Sequence, residues 1–176
     1  ADHSTAVGGR TYTGQAAVAL GYLANASDQG TVAIGAGSKV EGVDDGSGTK
    51  NNSDNGVAVG INAWSKDNSI ALGGNSVAST TKAATQSGYL TSTQIGTQGV
   101  VSVGSDGSGG MAAFNRRVAN VDDGADDYDA VNVRQLKIAQ DKVGNLIGGN
   151  VSVDGNGNYS QITLKDTNGV EYKYDT

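Results

Sequence analysis

The stretch Asn68-Ser69-Ile70-Ala71-Leu72-Gly73-Gly74-Asn75-Ser76 decides the fold, because its centre is a unit that the first half of the chain repeats. The unit is an aliphatic residue, an alanine, a second aliphatic residue and a glycine. Its other copies are Val18-Ala19-Leu20-Gly21, Val32-Ala33-Ile34-Gly35, Val57-Ala58-Val59-Gly60, the partial Thr5-Ala6-Val7-Gly8 and the degenerate Val101-Ser102-Val103-Gly104. The step from Ala58 to Ala71 is 13 residues, and that from Ala19 to Ala33 is 14.

Each unit is typical of two short strands joined through the glycine. Alternate residues of a strand face opposite sides, so the aliphatic residues point to one face and the alanine to the other. The third and fifth positions after the glycine are small or β-branched: Thr11 and Thr13, Ala24 and Ala26, Ser38 and Val40, Ala63 and Ser65, Ser76 and Ala78. This pattern predicts one coil of a parallel β-roll per unit, and such coils must stack. The alanine face is so small that two backbones must approach closely there, either inside a narrow roll or between chains.

Two polar insertions interrupt the repeat. One runs from Gly42 to Asn55, and a longer one rich in Thr, Ser and Gln lies between Ser79 and Gly99. Insertions in repeat proteins map to loops that leave the stack intact. Both are therefore predicted to be exposed loops.

Composition excludes several classes of protein. With 28 glycines among 176 residues, 36% apolar residues and 5% aromatic residues, a conventional core of large side chains is not expected. Disorder would fit that composition, but it predicts no periodic apolar pattern. The net charge of −6 argues against a nucleic-acid partner, since no basic stripe is present to neutralise phosphates. The chain has no cysteine, so it contains neither a disulfide nor a thiolate nucleophile.

The pattern changes from Asn115 onward. Leu136, Ala139, Val143 and Leu146 follow one another at helical spacings and form the seam of a short coiled coil. A helix of this length is marginal alone, so it requires partner helices and hence oligomerisation. The glycines at 144, 148 and 149 weaken or stop the helix.

The last residues predict β-structure. Ile162 and Leu164 alternate before Asp166-Thr167-Asn168-Gly169, and Val170, Tyr172 and Tyr174 alternate after it. Asn-Gly is a strong two-residue hairpin signal. A preceding strand, Asn150 to Val153, is predicted to turn at Asp154-Gly155-Asn156-Gly157.

The repeat resembles the head domain of YadA type in the trimeric autotransporter adhesins of Gram-negative bacteria. Asn68-Ser69-Ile70-Ala71-Leu72-Gly73, with Ser76 three residues after the glycine, matches the head motif N-S-V-A-I-G-x-x-S with conservative changes. The resemblance implies 14-residue repeats in a left-handed parallel β-roll, with three chains side by side.

A second segment resembles the neck of the same family, which passes each chain onto its neighbour and leads into the stalk. Arg116-Arg117-Val118-Ala119-Asn120-Val121 and Asp129-Ala130-Val131-Asn132-Val133-Arg134-Gln135-Leu136 carry this resemblance. The family usually has threonine where Ala119 and Tyr128 stand and a small residue where Asp122 stands. Head and neck together cover about residues 5–147.

The resemblance implies an all-β head in a homotrimer, followed by a neck, a short coiled-coil helix and the start of a β-rich stalk module. The expected boundaries are 1–114, 115–137, 138–149 and 150–176. The implied function is non-enzymatic adhesion at the bacterial surface, with anchoring to the outer membrane through a C-terminal region outside this chain. Implied partners are collagen, fibronectin, laminin, host cells and other bacterial cells. The alternative is a structural spacer whose ligand binding lies elsewhere in the fibre.

The head motif has both a ligand-binding and a structural interpretation. In the family such repeats are linked to collagen binding, and the resemblance implies ligand-binding roles for Asn68, Ser69, Ile70, Ala71, Leu72, Gly73 and Ser76. The structural interpretation places Ile70 and Leu72 in the interior, so the polar Asn68, Ser69 and Ser76 are the expected ligand contacts. Tyr22 and Trp64 are expected to be exposed aromatics or filler. The resemblance further implies neck and trimer roles for Arg116, Arg117, Val118, Asn120, Val121, Asp129, Ala130, Val131, Asn132, Val133, Gln135 and Leu136, and the seam adds Val143.

Catalytic and metal sites have little support in the sequence. His3 is the only histidine, and no serine lies in the context of an activated nucleophile. Left-handed β-helical acyltransferases use hexapeptide steps and a histidine, and a repeat of 13–14 residues is no multiple of six. Asp154-Gly155-Asn156-Gly157-Asn158 begins like a calcium loop, but Tyr159 and Lys165 replace its required glycine and glutamate. The acidic run Asp122, Asp123, Asp126, Asp127 and Asp129 is predicted to be a solvated loop balanced by Arg116, Arg117 and Arg134. Neither a metal nor a cofactor is expected.

Overall fold

The computed structural model describes residues 3–42, 55–66, 68–79, 99–147, 151, 154, 156, 158–160 and 162–174. The chain divides into two compact units, Ala1–Arg116 and Arg117–Thr176. The predicted division into four segments remains a prediction. The two polar insertions, apart from their first and last residues, lie outside the described residues.

The first unit is a roll of short strands. In chain order they are β1 (Thr5–Val7), β2 (Tyr12–Thr13), β3 (Val18–Leu20), β4 (Asn25–Ala26), β5 (Val32–Ile34), β6 (Lys39–Glu41), β7 (Val57–Val59), β8 (Trp64–Lys66), β9 (Ile70–Leu72), β10 (Val77–Ala78) and β11 (Val101–Ser102). Odd-numbered strands form a six-stranded sheet in the order β1-β3-β5-β7-β9-β11, and even-numbered strands form a five-stranded sheet in the order β2-β4-β6-β8-β10. Every pair in both sheets is parallel. The predicted parallel β-roll is thus confirmed.

The register keeps equivalent residues of the repeat side by side. Ala19 pairs with Ala33, Ala33 with Ala58, and Ala58 with Ala71. The insertion after Gly42 does not break this order, because Val32 pairs directly with Val57. The sequence unit is therefore also the structural unit, with one strand in each sheet per coil.

The core lies between the two sheets and consists of small side chains. Ala17, Ala19, Ala24, Ala26, Ala33, Val40, Ala58, Ala63, Ala71 and Ala78 are all fully buried. The close approach of backbones that the alanine face requires thus occurs inside a narrow roll. The expectation that Ile70 and Leu72 fill the interior is wrong: Ala71 is fully buried between them, and Leu72 is 40% exposed. The space between the sheets accommodates methyl and hydroxyl groups, so the larger aliphatic residues face outward.

Glycine and asparagine form the corners of each coil. Gly60 has φ 133°, and a Cβ there would lie 2.5 Å from the carbonyl carbon of Gly73, so no other residue fits without a backbone shift. Asn62 and Asn75 have φ 55° and 58°, a left-handed conformation that asparagine tolerates. Their side chains also stack, since Asn62 Nδ2 donates to Asn75 Oδ1 at 3.3 Å.

The C-terminal end of the roll folds back on itself. Ser105 and Phe114 form an antiparallel bridge around a short 3₁₀ turn, Ser108–Gly110. Gly109 packs against the Trp64 ring so closely that a Cβ would lie 2.1 Å from it. Trp64 Nε1 also donates to Glu41 Oε2 at 2.9 Å, so this aromatic is half-buried filler, whereas Tyr22 is 55% exposed.

The second unit contains one helix and one hairpin. Helix α1 (Val133–Ile147) confirms the predicted helical pattern, although it begins within the segment predicted as neck. It continues through Gly144, where a Cβ would lie 3.0 Å from the Val151 carbonyl oxygen. Among the described residues, no helix combines the length and apolarity needed to cross a membrane.

Strands β12 (Ile162–Lys165) and β13 (Glu171–Tyr174) confirm the predicted antiparallel hairpin, with Leu164 opposite Tyr172. The Asp166 N–H donates to the Val170 carbonyl at 3.0 Å and closes the loop. Three residues lie between these two, so the loop is longer than the predicted two-residue Asn-Gly turn. Asp154 accepts backbone N–H bonds from residues two and four positions later, as Asp166 does. The predicted strand before Asp154 lies outside the described residues except for Val151.

Candidate functional site

The outer surface of the six-stranded sheet, here called the aliphatic face, consists of two rows of apolar side chains. One row is Val18, Val32, Val57 and Ile70, and the other is Leu20, Ile34, Val59 and Leu72. Each of these side chains stands next to its equivalent one coil away, at the spacing of paired strands, about 4.8 Å. Most are half-buried, while Leu72 is exposed, as are Val7 and Val101 at the two ends of the sheet.

The outer surface of the five-stranded sheet, here called the polar face, has a different character. One row of this face is Tyr12, Asn25, Lys39 and Trp64, and the row ends at Val77, which is buried. Glu41 forms an ion pair with Lys39, and Lys66 Nζ lies 4.6 Å from the centre of the Trp64 ring. A contiguous apolar surface is typical of an interface, whereas charged and amide groups are stable in water. The roll thus has one face suited to association and one suited to solvent.

The candidate ligand motif is largely internal to the roll. Ser69, Ala71 and Ser76 are fully buried, so their side chains are not accessible to a ligand in this chain. Ile70 is half-buried and Leu72 exposed, and both belong to the aliphatic face.

The polar residues of the motif have structural partners. The Ser69 hydroxyl accepts the Val100 N–H at 3.2 Å, which holds β11 against β9. The Ser76 hydroxyl donates to the Leu72 carbonyl at 2.7 Å and accepts a bond from Arg116 at 2.7 Å. Asn68 is exposed at a corner, where its φ of 43° is a conformation that asparagine tolerates better than most residues. Of the three polar residues, only Asn68 is therefore presented to the solvent.

The neck residues cap the start of α1. The Asn132 side-chain oxygen accepts the Gln135 N–H at 3.0 Å, which makes Asn132 the N-cap. Gln135 then binds both backbone groups of Gly124: its oxygen accepts the Gly124 N–H at 3.0 Å, and its Nε2 donates to the Gly124 carbonyl at 2.9 Å. Asn132 Nδ2 donates to the Val121 carbonyl at 3.2 Å. Two amide side chains thus fix the preceding loop to the helix.

Two aspartates carry the electrostatics of this loop. Asp123 accepts a bond from Asn132 at 2.7 Å and forms an ion pair with Arg134, and these interactions lower the pKa of its carboxyl group. Backbone N–H bonds from Asp126 and Ala125 lower the pKa of the Asp129 carboxyl group in the same way. Of the three arginines expected to balance the acidic run, Arg134 does so through its ion pair with Asp123.

Arg116 has a different role from the one expected for the neck. Its guanidinium binds Ser76, Gly74 and Val103 within the first unit. Arg117 is exposed and begins the second unit. The two adjacent arginines thus belong to different parts of the chain.

The remaining neck residues expose apolar surface. A cleft of about 380 Å³ in the second unit brings seven of them together: Val118, Asn120, Val121, Ala130, Val131, Asn132 and Val133. On α1, Leu136 is 55% exposed and Val143 is 46% exposed, so the predicted seam is uncovered in the single chain. The sequence interpretation missed Ile138, which is 47% exposed and lies beside the seam.

The alternation in the sequence predicted a face of aliphatic residues, but Ile70 and Leu72 were expected inside the roll and not on its outer surface. Among the described residues, no group of three or more His, Cys, Asp or Glu side chains could hold a metal ion.

Comparison with known protein families gave two matches. The YadA head domain repeat matches twice, at residues 13–38 and 65–83. The coiled stalk of trimeric autotransporter adhesins matches residues 117–159. Together these matches cover half of the chain. No curated protein matched the sequence.

Two solved structures are similar. The collagen-binding domain of the Yersinia adhesin YadA aligns with 27% identity and a TM-score of 0.54, over 80% of this chain and 60% of that domain. The C-terminal YadA-like domain of a Burkholderia pseudomallei protein aligns with 22% identity and a TM-score of 0.35, over 77% of this chain and 62% of that one. The chain thus spans less than two thirds of either structure.

The head repeats match the roll, and the stalk sequence matches the unit that contains α1. The Yersinia domain aligns in three dimensions with most of this chain. The chain belongs to the trimeric autotransporter adhesins.

Proposed function

We propose that three copies of this chain form an adhesive head and the beginning of its stalk, and that the head attaches to extracellular matrix. The observation that carries the proposal is the aliphatic face, with rows such as Leu20, Ile34 and Val59 that a single chain leaves partly uncovered. Burial of apolar surface contributes roughly 25 cal/mol per Å², so repeated rows favour association.

The second unit supports assembly in the same way. Leu136, Val143 and Leu146 lie at seam positions of α1 and are between 46% and 88% exposed. A helix of 15 residues gains most of its stability from packing of its apolar face. Matching seams from three chains provide that packing. Closed symmetry gives every copy the same contacts.

The ligand assignment rests on the similarity to the collagen-binding domain of the Yersinia adhesin. With the aliphatic face used for assembly, the polar face and the exposed corners remain available to a partner. Equivalent residues recur from coil to coil, so a long ligand meets a repeated surface. Several weak contacts on three chains raise the effective concentration without a deep pocket.

The remaining features follow from membership in the family. The head acts at the bacterial cell surface, with the parent fibre anchored in the outer membrane and secreted by the type V route. Fibronectin, laminin, host cells and other bacterial cells are further candidate partners. The role is one of binding without catalysis.

Assembly is tested by light scattering coupled to size-exclusion chromatography at micromolar concentration. The expected mass is three times that of the 17.6 kDa chain. A stable monomer under these conditions would contradict the proposal. Unlike a lone binding measurement, this result does not depend on the choice of ligand.

Attachment is tested with collagen, fibronectin and laminin immobilised on separate sensor surfaces. The trimer should bind collagen, and the Leu136→Asp variant should bind at least tenfold more weakly at concentrations where its weakened trimer dissociates, because avidity is lost. A well-folded trimer that binds none of the three ligands would favour a spacer, with ligand binding elsewhere in the fibre.

A further inference from the structure

One corner of the roll follows the glycine of each repeat, and its first residue forms a column that runs from coil to coil. In each coil but the last of the column, the carbonyl of this residue accepts a backbone N–H from the next coil, at 2.8 to 3.0 Å. These bonds keep equivalent corner residues side by side. The column, here called the corner column, consists of Gly9, Tyr22, Ala36, Ile61 and Gly74.

The size of the side chain alternates along the corner column. Tyr22 is 55% exposed and Ile61 is 62% exposed, and each lies between two positions that hold only glycine or alanine. The Tyr22 ring lies against Gly9, where a Cβ would be 3.4 Å from the ring. Ala36, which is exposed between them, forms a notch. The corner thus presents two apolar projections, two coils apart, on either side of a notch.

The residue after Tyr22 has a backbone conformation that leucine rarely adopts. Leu23 has φ 58°, and the same position in the next two coils is held by Gly37 and Asn62, which tolerate positive φ. The Leu23 side chain is exposed, so packing in the core does not explain its presence. Strained residues of this kind cluster at ligand-binding sites. Leu23 therefore enlarges the first apolar projection at the expense of backbone strain.

The corner is also uncharged. From Tyr22 to Asn75, none of the described residues of the column, nor the residue that follows each of them, carries a charge, although the net charge of the chain is −6. Complementary charge directs ionic partners to charged surfaces. This strip instead suits a partner whose contact surface is apolar and uncharged.

The spacing of the notches matches one kind of extended chain. Paired strands lie about 4.8 Å apart, so the notches at Ala36 and Gly74, like the projections, lie about 9.6 Å apart along the roll. A polyproline II chain rises about 3.1 Å per residue, so its three-residue repeat is about 9.3 Å long. Collagen winds three such chains, with glycine at every third position. Side chains three residues apart in one of these chains can therefore enter successive notches.

We propose that a collagen-type triple helix lies along the corner column, parallel to the axis of the roll, with Tyr22, Leu23 and Ile61 as its apolar contacts. The inference rests on the proposed attachment of the trimeric head to extracellular matrix. To that attachment it adds a strip of named residues, an orientation and a ligand class, an uncharged triple helix rich in proline. The notch at Ala36 sets the register between the two repeats.

The first test measures binding to an immobilised synthetic triple-helical peptide of Gly-Pro-Hyp repeats. Tyr22→Ser and Ile61→Ser should each bind at least tenfold more weakly than the parent trimer, because exposed anchors carry most of the binding energy. Tyr12→Ser removes a similarly exposed tyrosine from the polar face and should bind like the parent. All three variants should keep the trimeric mass. Loss of the trimer in Tyr22→Ser or Ile61→Ser would make the corner an assembly contact and overturn the proposal.

The second test separates a fit of spacing from simple apolar adhesion. Ala36→Leu adds apolar surface but fills the notch, so it should bind the peptide several-fold more weakly, whereas Ala36→Gly should bind like the parent. Apolar adhesion without register predicts the opposite order. Equal or stronger binding by Ala36→Leu would overturn the proposal. Leu23→Asn should raise the melting temperature and weaken binding, since it removes both the strain and the apolar contact.

Natural collagen distinguishes failure of this assignment from failure of the proposed function. A parent trimer that binds collagen, with Tyr22→Ser and Ile61→Ser binding equally well, would overturn the corner assignment alone. A parent trimer that binds neither collagen nor the peptide, nor fibronectin or laminin, would contradict the attachment as well. Single-chain oligoproline is the last comparison: binding as tight as that of the triple helix would assign the strip to single proline-rich chains and overturn the proposal.

Discussion

The two units of this chain use apolar residues in opposite ways. The roll buries a continuous core of alanines and one valine within a single chain, and its larger aliphatic residues lie outside that core. In the second unit, Val151 is the only buried apolar side chain among the described residues, while Leu136, Val143 and Leu146 are exposed. The roll therefore has an interior of its own, whereas the apolar seam of the helix is uncovered in the single chain.

The difference follows from how each unit satisfies its backbone. Internal strands of the roll bond to the neighbouring coil on both sides, so small side chains and ladder hydrogen bonds are enough to hold the stack. A short helix satisfies its own backbone but buries little surface, and it is marginal in isolation. One unit is thus stabilised by repetition along the chain, and the other is stabilised by repetition between chains in the proposed trimer.

The largest effect is expected from overfilling the roll. Ala58→Leu places a larger side chain at a fully buried site between the two sheets, where neighbouring alanines leave no space. The roll should lose about 3 kcal/mol or more of unfolding free energy, measured by circular dichroism during denaturation. Ala36→Leu at an exposed corner is the control and should change little. Equal stability of both variants would mean that the alanine column is not the core.

A smaller effect should separate the two units. Leu136→Asp places a charge on the exposed seam of α1, which the proposed trimer buries. An unpaired buried charge should weaken the trimer by about 2 kcal/mol per chain or more, while the β-sheet signal of the roll persists. Lys137→Asp, one residue along the helix and off the seam, should leave the mass unchanged. If Leu136→Asp trimers melt like the parent, the assumed helical register is wrong.

The smallest effect concerns pH and the second unit alone. Asp123 is held ionised by Asn132 and Arg134, so its pKa is below the ordinary value in the folded state. A lowered pKa stabilises the fold above the ordinary carboxyl range, and this contribution disappears as the pH falls below about 4. Asp123→Asn should therefore lower the melting temperature at pH 7, and its difference from the parent should shrink as the pH falls below about 4. Asp127→Asn, which removes another exposed carboxylate of the same loop, is the control, and identical profiles for both variants would contradict the role of Asp123.

Much of the roll could be predicted from the sequence. The spacing of Ala58 and Ala71 gives the coil length, and their separation becomes a direct pairing across β7 and β9. Alternation correctly placed alanine and aliphatic residues on opposite faces. The choice of which face lies inside was wrong for Ile70 and Leu72. The larger side chains were expected in the interior, but side-chain size is a guide to burial only when the width of the interior is known.

The candidate site was less predictable for a related reason. Ser76 stands in the sequence as an isolated polar residue, yet in the fold it contacts Arg116, 40 positions later. Sequence similarity grouped Arg116 with the neck, whereas its bonds belong to the roll. Such contacts depend on where the last coil ends, which no local pattern encodes. In contrast, Asn132 and Gln135 form a cap between residues only three positions apart, so this contact depends on local sequence.

The sequence by itself determined the repeat, the strand and helix segments, and membership in the adhesin family, because these depend on periodicity and on strings of neighbouring residues. Only the tertiary structure decided that Ala71 lies inside, that Leu72 lies outside and that Ser69 and Ser76 are internal. The physical reason is the distance between the two sheets. That distance results from all coils stacking together, and it determines which side chain of each alternating pair can fit between the sheets.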